Sequence, residues 1–110
     1  MTGAKANTNG TRQHVLKSER PYFELIKSGA RQFDIRKDDQ GYAVGDLLIL
    51  REGDYGDRGD WYYTGAQLHA VISYVQRSDD DQPGLKPGYV VIGISPQKVT
   101  PRTGRWTPIR

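Results

Sequence analysis

The chain has no cysteine, only two histidines and one methionine, and no apolar run long enough to cross a membrane. The first absence excludes a disulfide framework and any thiolate metal site. His14 and His69 stand far apart, so no zinc-ligand spacing exists, and no metal or cofactor is expected. Residues 1–10 carry no hydrophobic segment that could act as a secretion signal, and cytoplasmic residence is the expectation. Also missing is a basic balance in the body of the chain. The net charge is +3, but residues 1–17 and 96–110 hold seven Lys and Arg and no acid. Residues 18–95 hold nine Lys and Arg against all 13 acids, a net −4. A uniformly basic docking face is therefore not expected, and any anion recognition must rest on a local cluster.

What is present suits one small domain. Residues 1–12, rich in Gly, Ala, Thr and Asn, read as a flexible arm, and 96–110 read as a basic, disordered tail, leaving 13–95 to fold. His14-Val15-Leu16-Lys17 is a strand candidate. Ser18 or Glu19 can cap a helix that Pro21 opens, Tyr22, Phe23, Leu25 and Ile26 stripe and Gly29 stops. From Arg31 the period falls to two. Gln32, Asp34 and Arg36 share one face of a strand, Arg31, Phe33, Ile35 and Lys37 the other, and Phe33 and Ile35 are expected to enter the core. Val44-Gly45-Asp46 introduces the buried strand Leu47 to Leu50, residues 53–60 read as an acidic glycine-rich loop, and Gln67 to Gln76 and Tyr89 to Ile94 read as the last strands. Asp79-Asp80-Asp81 reads as a solvated loop. One helix between the first two of about five to six strands, with no α/β alternation, predicts a mainly β (α+β) fold, a small closed or nearly closed barrel.

Several of these segments together resemble a known pattern. Gly29, Arg31, Asp34 and Arg36 occupy the places of the ASCH signature Gly-x-Lys-x-x-Glu-x-Arg, with two conservative departures. His14-Val15-Leu16-Lys17, Tyr22-Phe23, Phe33 to Asp38, Val44-Gly45-Asp46, Tyr63-Thr64-Gly65 and Gly88-Tyr89-Val90-Val91 follow, in order, a small ASCH-related family of unassigned function found in phages and bacteria. The resemblance covers residues 13–95. It implies a PUA-like pseudobarrel whose signature strand lines a cleft beneath the helix, and an association with RNA, modified bases or nucleoside derivatives. Some ASCH relatives look like hydrolases or ribonucleases. In the deacetylase-like members a signature lysine and a threonine three residues on serve in catalysis; here those places hold Arg31 and Asp34, which argues against that chemistry.

The expected site gathers Lys17, Tyr22, Arg31, Asp34, Arg36, Lys37, Tyr63 and Tyr89. The cations would meet phosphate or a base edge, and the tyrosines would stack on bases. Asp34 and Arg36 can serve a ligand together or simply pair with each other. Asp34 and His14 are the candidates for proton transfer, whereas His69, in mid-strand, reads as an ordinary residue. Three functions fit: an RNA- or nucleotide-binding module, a ribonuclease or nucleoside amidohydrolase, and a phage-type protein that binds a host factor. A monomer with no membrane partner is expected.

Overall fold

The computed structural model describes residues 12–78, 84–99 and 106–108. The expected arm at 1–11, the Asp79-Asp80-Asp81 run and the tail at 100–105 and 109–110 lie outside them. The elements are β1 (Gln13–Glu19), α1 (Arg20–Ser28), β2 (Phe33–Lys37), β3 (Leu47–Tyr55), β4 (Trp61–Arg77), β5 (Tyr89–Val99) and β6 (Trp106–Pro108). The order across the sheet is β1-β3-β4-β5-β2, with β6 added to β5. β1 runs parallel to β3 and the other pairs are antiparallel. The five main strands form a curled half-barrel with the single helix between the first two strands, as the sequence predicts.

α1 begins at Arg20 with Pro21 in its first turn, though neither Ser18 nor Glu19 caps it by side chain; Ser18 is instead buried in β1. It ends where Gly29 takes φ 86°, donating its N–H to the Ile26 carbonyl. A β-carbon there meets no atom, so the cost of Gly29→Ala is conformational alone, about 1–2 kcal/mol. A melting point lower by roughly 4–12 °C in thermal denaturation is the expected outcome.

Phe23 and Ile26 of α1 are buried on the concave face of the sheet, against Leu48 and Leu50 of β3, Ala70 and Ile72 of β4 and Val90 and Ile92 of β5. The strict alternation along β3 explains why Leu47 and Ile49 stay half-exposed while Leu48 and Leu50 are sealed. On β4 the register shifts between Ile72 and Tyr74, which returns Val75 to the core and leaves Tyr74 outside. That bulge accounts for apolar groups at both odd and even positions of this strand.

Two expectations need correction. Phe33 and Ile35 are not core residues: they are 43% and 49% exposed, while the Asp34 and Arg36 side chains are only 17% and 21% exposed. The alternation is real but its faces are reversed, because β2 is an edge strand whose inner side meets a polar cleft and not the hydrophobic core. The acidic segment 53–60 is also loop only from Gly56 onward. β3 continues through Gly53 and Asp54 to Tyr55, opposite Tyr63, Tyr62 and Trp61, and the turn shrinks to Gly56–Asp60. At the other end, β5 runs past the expected strand end at Ile94 to Val99, where it pairs with β6. Among the described residues no helix is long and apolar enough to cross a membrane.

Candidate binding cleft

β1 and β2 are the two edges of the curled sheet and do not pair with each other. Their edges flank a cleft of about 520 Å³, lined also by Tyr22 of α1 and by Tyr55 and Trp61 at the ends of β3 and β4, within the usual size of a small-molecule pocket. Arg36 bridges this seam. It donates from Nη1 and Nη2 to the Lys17 carbonyl at 3.1 and 2.7 Å, tying β2 to an edge carbonyl of β1.

Asp34 holds the arginine in that position. Its Oδ2 accepts from Arg36 Nη1 at 3.2 Å, while Oδ1 accepts from Arg31 Nη2 at 3.3 Å and the Ile35 N–H at 3.1 Å. With both oxygens engaged by two guanidinium groups and a backbone donor, Asp34 is placed to orient cations. Arg31 in turn lies against the rings of Tyr22 and Phe33, 4.6 and 4.7 Å from their centroids, and donates through Nε to the Phe33 carbonyl. The outward turn of Phe33 therefore has a local partner.

Of the residues expected at the site, Lys17, Tyr22, Asp34, Arg36, Lys37 and Tyr89 line the cleft together. Lys37 and Tyr89 sit opposite each other across the β2–β5 pair. Arg31 stands behind Asp34. Tyr63 lies beside the cleft, its ring beneath the Arg51 guanidinium at 3.8 Å and edge-on to Trp61. His14 is 1% exposed and meets the cleft through Gln40 and Tyr42. His69 lies on β4, opposite Ile49.

The sequence reading missed Glu19, Asp39, Gln40, Tyr42, Tyr55 and Trp61, all of which line the cleft. Trp61 is the largest omission. Its indole lies against Gly53, packs edge-on to Tyr55 at 5.2 Å, and carries the Lys17 ammonium 5.2 Å from its centroid. An aromatic next to an acidic glycine run was the available signal. Tyr42 is buried at the inner end, and burial pushes its phenol above the ordinary range, opposed by the nearby Arg36 and reinforced by Asp39 and Asp38. It is a neutral hydroxyl at physiological pH. The cleft thus combines five aromatic rings with three cations, Lys17, Arg36 and Lys37, and three carboxylates, Glu19, Asp34 and Asp39.

Residues 13–94 match a family described as a domain of unknown function, DUF3850. The chain belongs to that family. The matched span begins with β1 and closes within β5, so both cleft edges and the aromatic residues between them fall inside the DUF3850 domain. The chain is also similar to a protein of Escherichia phage P2 named "Uncharacterized 12.9 kDa protein in GpA 3'region", at 34% identity over 67 residues. That similarity takes in 61% of this chain and 57% of the phage protein's length.

Proposed function

We propose that this DUF3850 domain is a recognition module whose cleft holds one nucleotide unit, either a free nucleotide or an unpaired residue of RNA. The observation that carries the reading is the makeup of the seam. Tyr22, Tyr55, Trp61 and Tyr89 offer flat apolar surface, with Lys17, Lys37 and the forked Arg36 beside them, in a space of about 520 Å³. A cleft built for a bare polyanion would not balance three cations with three carboxylates; a base with a single phosphate has use for both signs. The signature segment Gly29 to Arg36 supports kinship with ASCH domains and their PUA-like relatives as part of this reading. Recognition is favoured over catalysis because Asp34 is already committed to Arg31, Arg36 and a backbone N–H.

The test is titration with nucleoside monophosphates and short single-stranded RNA at two salt concentrations, read by Trp fluorescence and calorimetry. Tyr22 is 45% exposed on α1 and can be truncated without disturbing the core. Tyr22→Ala is expected to weaken binding by about fivefold or more, the equivalent of one lost stacking contact. Affinity that disappears as salt rises, and is indifferent to Tyr22→Ala, would assign binding to the charged tails and remove the cleft from the account.

A further inference from the structure

We infer that Gln40 is the specificity-determining residue of the cleft, and that a buried Asp46–His14 pair locks its amide so that the NH2 group faces the ligand and selects a base carbonyl over a base amino group. The inference rests on the nucleotide reading above. A glutamine side chain ordinarily discriminates poorly at a single contact, because its amide can turn to offer either a donor or an acceptor. Gln40 cannot turn freely. Its backbone carbonyl accepts from Arg12 Nη2 at 2.7 Å, and its Oε1 lies 2.8 Å from His14 Nδ1. The other ring nitrogen, Nε2, lies 2.8 Å from Asp46 Oδ2.

Gln40 Oε1 can only accept, so Nδ1 is the donor at this contact, and Asp46 holds the ring from its other nitrogen. Asp46 is fixed in its turn by the Ala43 N–H at 3.0 Å on Oδ2 and the Arg12 N–H on Oδ1. The Tyr42 ring packs on the imidazole at 4.8 Å. The groups facing His14 are thus Asp46 from the turn before β3, Tyr42 and Gln40 from the segment after β2, and the Arg12 backbone ahead of β1. With Oε1 taken, the Gln40 NH2 has no protein partner among the described residues, and Gln40 lines the cleft. A pinned donor satisfied by a carbonyl is left unpaired by an amino group, and this asymmetry produces selectivity. His14 and Asp46 act as positioning residues.

The experiment compares uridine with cytidine 5′-monophosphate, and guanosine with adenosine 5′-monophosphate, by calorimetry on the full chain as wild type, Gln40→Ala and Gln40→Glu. Wild type is expected to prefer the carbonyl-bearing member of each pair by about tenfold. Gln40→Ala should bind both members within about twofold of each other, and Gln40→Glu, which offers only an acceptor, should prefer the amino-bearing member. Binding that persists with the same carbonyl-to-amino ratio in all three proteins overturns the assignment of Gln40 and leaves the nucleotide reading standing. Failure of all four nucleotides to bind wild type removes the nucleotide reading and this inference with it. A carbonyl-to-amino ratio unchanged in Asp46→Asn overturns the His14 lock.

Discussion

Asp46→Ala is expected to destabilise the domain by about 3–5 kcal/mol, lowering its melting point by on the order of 15–30 °C. The side chain is 6% exposed and serves three partners on three segments: His14 of β1, the Ala43 N–H of its own turn, and the Arg12 N–H. Its backbone is engaged as well, since the Asp46 N–H donates to Ala43 and its carbonyl accepts from Ile72 of β4. Removing the side chain leaves His14 Nε2 sealed without its partner and two backbone donors short of an acceptor, and this outweighs the loss of one hydrogen bond. Asp46→Asn keeps the shape and one carbonyl oxygen, so roughly half the loss is expected. Denaturant melts of the three proteins at neutral pH measure both. A loss below about 1 kcal/mol in Asp46→Ala would mean that β1 is held by its ladder with β3 alone and that the polar network contributes little.

The same residue shows what the sequence could and could not convey. Val44-Gly45-Asp46 was legible as a turn into a strand, because glycine and aspartate before an apolar run carry turn chemistry. That the aspartate points inward to a histidine 32 positions earlier was not legible, since the pairing depends on β1 lying beside β3 after the chain has formed α1 and β2. The helix and the period-two segment from Phe33 to Lys37 were readable for the same local reason. Which face of β2 meets the core was not: on a central strand the apolar set faces inward, whereas here the edge position and the cleft reverse it. Cleft membership follows that division. Residues of the signature strand and its immediate partners were found, while Gln40, Tyr55 and Trp61 come from segments whose composition reads as turn or loop. The β3–β4 hairpin was shortened in the sequence reading because glycine and aspartate are poor strand formers; packing of Trp61 on Gly53 overrides that propensity.

That packing supports the second large effect. Gly53→Ala is expected to cost about 2–3 kcal/mol and to dismantle the Trp61 wall of the cleft. The glycine is fully covered in β3, where the register with β4 shifts between Arg51 and Gly53. A β-carbon placed on it would stand 2.2 Å from Trp61 Cζ2, 2.6 Å from Cε2 and 2.6 Å from the Tyr62 carbonyl oxygen. The last of these is backbone, so moving the indole aside does not by itself relieve the clash, and the strand pair must open as well. The indole is the more easily displaced partner. Its N–H is buried with no hydrogen-bond partner among the described residues, so packing alone keeps the ring in place. Displacement should expose it, separate it from Tyr55, and free the Lys17 ammonium from its face. The expected readouts are a melting point lower by about 8–20 °C and a red shift of Trp emission relative to wild type. Nucleotide affinity should fall by more than Tyr22→Ala costs, because a stacking surface and the placement of a cation are lost together. Wild-type emission and stability in Gly53→Ala would show that the hairpin tolerates a β-carbon at this position, and that the close seat of Trp61 on Gly53 does not define the cleft wall.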